Sequence, residues 1–212
     1  MFKKQLLLIF LATLASQSLW AAQYARPDST TDNAGWSAVG AATHHDAVNE
    51  AAASDADYID STNGNNSTII LGLSDVIDPG GANLNDHIIR YRCQATVGAK
   101  ARGPESCDAA LYQGAVQIAS IANAASRGTF TLVELVIPDA SAISDYSSLE
   151  LRLTSGALDT DESIQISCAE LEVPDAAALT PPTVTSPTFA DVTETTATLG
   201  GNVTSDGGAT VT

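Results

Sequence analysis

Six runs of this chain alternate apolar and polar residues or are dense in β-branched ones, and each ends in turn-forming residues. They are STIILGL (67–73), DHIIRYRCQATV (86–97), AALYQGAVQIAS (109–120), GTFTLVELVI (128–137), SLELRLT (148–154) and SIQISCAELEV (163–173). A period of two sends successive side chains to opposite faces of a strand. Leu149, Leu151 and Leu153 against Glu150 and Arg152 give the cleanest case, leucines to one side and charges to the other. The separators SDVIDPGGANLND and SGALDTDES combine Gly, Pro, Asp and Asn, which turns require. GWSA around Trp36 and DADYID around Tyr58 read as shorter edge strands. Only HHDAVNEAAA (44–53) and ASAISDY (140–146) read as helical, for about two turns each. Short strands at this spacing, without a helix between them, predict an all-β antiparallel sandwich rather than a parallel sheet.

The two ends read differently. Residues 1–22 begin with Lys3 and Lys4, continue through an apolar stretch from Leu6 to Ala15 and close on Ala21 and Ala22. That order is the one of a secretory signal peptide, and the apolar stretch is shorter than the ~20 residues that span a bilayer. A secreted, extracellular or cell-surface location follows, with no transmembrane segment expected. Residues 23–174 hold the strand pattern, 175–182 form a Pro/Ala linker, and 183–212 turn Thr-rich without Lys or Arg. In that last stretch TVTSPTF and TATLGGNV read as strands joined to a turn at SDGG, and Thr212 falls inside an expected third strand. Beyond the leader Lys100 is the sole lysine, and the full sequence already carries a net charge of −16. Nucleic-acid binding draws its affinity from Lys and Arg, so that class of partner is not expected; an extracellular polymer or a surface protein is.

An oxidising compartment permits disulfides, and the exported part holds Cys93, Cys107 and Cys168. Ile89, Tyr91 and Cys93 share one strand face, as do Cys107, Ala109 and Leu111. A hairpin of these two strands sets Cys93 opposite Cys107 with both apolar faces on one side, and that pairing is the preferred one. A bridge from Cys93 to Cys168 on a neighbouring strand is the alternative. With the preferred pairing, Cys168, on the parity of Ile164 and Ile166, is left as a buried free thiol.

ARPDSTTDNAGWSA, VNEAAASDADYI, LSDVIDPG, HIIRYR, LYQGAVQIAS, ISDYSSLELRL and CAELEVPDA follow in an order that resembles a family of bacterial and phage extracellular modules. These are jelly-roll β-sandwiches of galactose-binding-like shape. The loop between Cys93 and Cys107 is enlarged relative to that pattern, and Cys168 stands where an aromatic is usual. TATLGGNVTSDGGATVT is similar to the opening of a fibronectin type III-like repeat of bacterial surface proteins, an immunoglobulin-like β domain. Together the resemblances imply a multidomain surface or appendage protein. They imply a non-catalytic module with a structural, display or adhesive role, and a carbohydrate-binding module targeting an exported enzyme as the alternative.

No catalytic motif is present. G-x-S-x-G, G-x-G-x-x-G and G-x-x-x-x-G-K-[ST] do not occur. Glu134, Glu150, Glu170 and Glu172 read as outward-facing charges, with Glu134 on the parity of Phe130 and Leu132. His44 and His45 are adjacent and diverge on any regular backbone, a poor start for zinc. Asp55, Asp57 and Asp60 in SDADYIDSTNGNN are the candidate calcium ligands, against a turn-forming role; no other cofactor is expected. Sugar-binding sandwiches present aromatic rings to the sugar faces. Tyr112, on the parity opposite Leu111, and Tyr146, at a loop end, are the candidate ligand-binding residues.

Overall fold

The computed structural model describes residues 22–61, 66–80, 84–98, 105–156, 160–175, 183–190, 193–196 and 198–205. The strands are β1 (Ala22–Ala25), β2 (Pro27–Asp32), β3 (Trp36–Val39), β4 (Tyr58–Ser61), β5 (Ser67–Leu73), β6 (His87–Ala95) and β7 (Glu105–Gln113). They continue with β8 (Val116–Ile121), β9 (Ala124–Ala125), β10 (Thr131–Ile137), β11 (Leu149–Ser155), β12 (Ile164–Pro174), β13 (Thr183–Ala190) and β14 (Thr198–Ser205). Among the described residues there is no helix. Residues 1–21 of the expected signal peptide, most of the linker and residues 206–208 of the SDGG turn lie outside the described residues, while Ala22 opens β1.

Alternating side chains leave each strand with one apolar face, and two stacked sheets bury it. The first sheet runs β10-β6-β12-β4-β3, with β1 on the stretch of β12 that β4 leaves open. The second runs β2-β5-β11-β7-β8, with β9 against the start of β7. From β4 onward the chain crosses between sheets at nearly every step. The inner orders β10-β6-β12-β4 and β5-β11-β7-β8 are those of an eight-stranded jelly roll. In the second sheet Leu151 of β11 sits between Leu71 of β5 and Leu111 of β7, all three fully buried. Ile89, Tyr91, Ile166 and Leu171 face them from the first sheet, and the Tyr91 hydroxyl crosses the core to donate to the Cys107 carbonyl at 2.7 Å.

Three expectations need correction. Residues 44–48 form turns, with the Val48 carbonyl accepting from the Ala169 N–H, and 140–146 form turns too. The alanines that suggested helix are simply small enough to lie under other segments; Ala47 is fully buried. The β6–β7 hairpin does not exist: β6 pairs with β10 and β12, while β7 pairs with β11, β8 and β9. Matching apolar parity is satisfied as well across a sandwich as along a ladder. Cys93 and Cys107 accordingly face one another from opposite sheets, both buried, their thiols within hydrogen-bonding reach. Third, Cys168 is not on the core face. A bulge between Ile166 and Cys168 shifts the register, so Ile164 and Ile166 point inward before it and Ala169, Leu171 and Val173 after it. Cys168 lies opposite Arg92 on the outer face, where burial pushes its thiol up to about 11. From there it cannot reach Cys93.

Charges fill the outer face of the first sheet. Arg90 on β6 donates to Glu134 at 2.6 Å on one side and to Glu172 on the other, and Arg26 binds Glu170 at 2.9 Å. Glu134 is thus outward and half exposed, with Leu132 and Val136 beside it. At one end of the sandwich Arg127 bridges the buried carboxylates of Glu105 and Glu162. β13 and β14 pair antiparallel with each other and, among the described strands, with no other.

Candidate functional site

The outer face of the second sheet has a different texture. Its rows run Ser29–Gly72–Glu150–Tyr112–Gln117 and then Ile70–Arg152–Ala110–Ser120 across the strands. Small residues occur where strands would otherwise raise bulk. A Cβ at Gly72 would run into the Ser29 hydroxyl, so β2 lies close against β5 there. Gly114, in the β7–β8 turn with φ +57°, leaves open space above it. Residues 140–148 stand over this end of the sheet. The result is an open groove of about 730 Å³. Asp28, Ser29, Asp75, Gln113, Ser148 and Glu150 are among its polar lining, and Val116 and Ala142 are among its apolar lining.

Hydrogen bonds fix these groups. The Gln113 amide donates to the Ser144 and Ser148 hydroxyls at 3.2 Å each, and its carbonyl accepts from the Ser144 N–H at 2.9 Å. Arg152 donates to Glu150 at 3.1 Å and to the Gly114 carbonyl at 3.0 Å. Its guanidinium lies 3.8 Å from the centre of the Tyr112 ring, a cation–π contact. The Tyr112 hydroxyl donates to Gln117 at 2.7 Å. Further along the same face, beyond Arg152, a smaller hollow of about 150 Å³ is lined by Asp108, Ala110, Ser120 and Thr154.

The groove therefore offers carboxylates, hydroxyls and an amide, and among the described residues no Lys, Arg or His lines it. Such a surface hydrogen-bonds polyols well and repels anions. Arg152 stands beside it, but Glu150 already partners its charge.

The sequence-derived candidates scatter. Tyr112 borders the groove, with one ring face occupied by Arg152. Tyr146 is only 5% exposed and so offers no ring to a sugar; its side chain reaches inward. Asp55, Asp57 and Asp60 do not converge. Arg92 and Ser167 hold Asp55, and the guanidinium keeps its carboxyl below the usual range. Asp57 meets Glu50, and Asp60 accepts from Gln165 at 3.0 Å. Among the described residues no group of three or more His, Cys, Asp or Glu is placed to hold a metal ion. His44 contacts the Trp36 carbonyl and His45 the Thr30 hydroxyl, each a separate local bond. Sequence reasoning missed Gln113 and the serines. A glutamine at a strand end and a Ser-rich turn signal nothing until the fold puts them side by side.

No protein-family model matches the chain, and no curated protein matches it. Solved structures do match. TmCBM61 in complex with β-1,4-galactotriose is 9% identical, covers 73% of this chain and 88% of its own, and has a TM-score of 0.38. The CBM22-1 xylan-binding domain from Paenibacillus barcinonensis Xyn10C is 16% identical, covering 74% and 97%, with a TM-score of 0.40. The Agl-KA catalytic domain is 15% identical, covering 83% of this chain and 34% of that one, with a TM-score of 0.41. Binding modules and a catalytic domain thus stand side by side at similar distance. What they bind or cleave is said of them alone.

Proposed function

We propose that residues 22–175 act as a non-catalytic carbohydrate-binding module of a secreted, multidomain surface protein, seating an uncharged glycan in the groove on the second sheet. The observation that carries this is the groove itself: an open, preformed hollow lined by hydroxyls, an amide and carboxylates, the groups that exchange hydrogen bonds with sugar hydroxyls. The acidic rim disfavours uronates and sulfated polymers. The leader and the Thr-rich segment support the wider reading, in which 183–212 opens a fibronectin type III-like repeat and the glycan-binding module is displayed beside it.

A glycan array probed with the exported chain tests this. Saturable binding to neutral polysaccharides is expected. Glu150→Gln and Gln113→Ala each weaken it about tenfold, the scale of one hydrogen bond involving a charged or well-placed polar group. A blank array, or binding confined to anionic glycans and indifferent to both substitutions, overturns the proposal.

A further inference from the structure

The segment that walls the groove has no strand or helix to hold it. Its order comes from a period of three: Ala140, Ile143, Tyr146 and Leu149 all point inward and are buried. The residues between them, Ala142, Ser144, Ser147 and Ser148, face the groove. Asp139 and Asp145 cap the intervening turns through the Ser141 and Ser147 N–H groups, both at 2.9 Å. The Ala140 N–H donates to the Leu84 carbonyl at 2.8 Å. These local bonds shape the turns, and the deepest anchor is Tyr146.

The Tyr146 hydroxyl lies 2.8 Å from Nε2 of His87, the first residue of β6, and the two rings stack at 5.7 Å. His87 is fully buried, with Nε2 on the Tyr146 hydroxyl and the Asn85 backbone the only other hydrogen-bonding partner described for the ring. Asp86, immediately before it, holds φ +68°, a left-handed conformation that a non-glycine residue adopts at some cost. Burial lowers the affinity of His87 for a proton, and the Asn85 backbone, Asp86 and Asp78 pull the other way without prevailing. Burial also raises Tyr146 to about 12, so the phenol stays protonated. The neutral pair suits this pocket. An imidazolium is disfavoured there by burial: the Asn85 backbone, Asp86 and Asp78 offset only part of the cost of taking a charge out of water.

We propose that His87 and Tyr146 form a latch that positions the groove wall, and that protonating His87 releases residues 139–148 and weakens ligand binding. The second half rests on the glycan reading above; the first does not. The direction follows from linkage. A histidine whose folded pKa is depressed supports the closed form fully above its ordinary value of 6.5, and that support is lost as pH falls below it.

Hydrogen exchange of the ligand-free chain over a pH series tests the latch, with rates corrected for intrinsic chemistry. In the wild type, exchange across 139–148 rises several-fold as pH drops below about 6.5, while β11 and β12 stay protected. His87→Gln, which keeps a hydrogen-bonding group but does not titrate, gives a flat profile. Tyr146→Phe keeps the ring and loses the hydroxyl, and its loop exchanges faster already at neutral pH. Superimposable wild-type and His87→Gln profiles overturn the latch. Since no ligand is present, a blank glycan array leaves this measurement intact and removes only the link to binding. On a ligand that does bind, affinity falls with pH in the wild type and holds in His87→Gln; parallel loss in both overturns that link.

Discussion

Closing a bond between Cys93 and Cys107 has a stability consequence that the fold makes calculable. The two residues sit in opposite sheets as free thiols, both fully buried and within hydrogen-bonding reach of each other. Oxidation by a disulfide such as oxidised glutathione joins the sulfurs, transfers two electrons to the oxidant and releases two thiols from it. The bond closes a loop of 15 residues, from Cys93 through Cys107. Chain-entropy reasoning gives such a loop about 3 kcal/mol through restriction of the unfolded chain. In a domain of this size each kcal/mol moves the melting temperature by ~2–4 °C, so a shift of ~6–12 °C is expected. Exported protein is unfolded in denaturant and its thiols titrated before and after reduction, with melts run alongside. One thiol before and three after are expected, the free one being Cys168. The melting temperature should fall on reduction by the stated amount and show no such fall in Cys93→Ala/Cys107→Ala. Three titratable thiols before any reductant is added would refute the reasoning.

Two other outcomes follow from burial. Leu151→Ala empties the centre of the second sheet between Leu71 and Leu111, and urea denaturation should register a loss of ~2–5 kcal/mol with an unchanged slope. Glu50 is raised to about 7 by burial, with Asp57 beside it adding to the shift. Between pH 4.5 and about 7 the native chain keeps a proton that the unfolded chain has released, so this contribution fades as pH rises and is gone above 7. Glu50→Gln should therefore raise the melting temperature above pH 7 and change it little near pH ~4. An equal shift at both pH values would contradict that linkage.

The alternation in the sequence carried the strands and the burial of their faces. Leu149, Leu151 and Leu153 went inward as read, and Glu150 and Arg152 outward. Partners were less legible. Parity says which way Cys93 and Cys107 point and is silent on whether their strands lie side by side or face to face; only the crossing pattern of the jelly roll decides that. Cys168 was misplaced because one extra residue at a bulge inverts everything after it, and no local signal in SIQISCAELEV marks the spot. ASAISDY was misread because a period of three over Ala140, Ile143 and Tyr146 imitates one helical face, though Asp139 and Asp145 form turns. The groove was invisible for a further reason. It is assembled from β2, β5, β7, β11 and a loop, so its residues lie as far apart as Asp28 and Glu150.

The arrangement of β1 and β12 bears on when this chain can take its final shape. Ala22–Ala25 pairs with Leu171–Pro174, so opposite ends of the jelly-roll segment meet in one ladder. β12 also separates β6 from β4, so the first sheet stays split until it is inserted. A nascent chain thus emerges with its middle position vacant and cannot knit shut before nearly the whole segment has been made. Late closure of this kind, with the first and last strands of the segment zipped together at the finish, comes built into such a strand order.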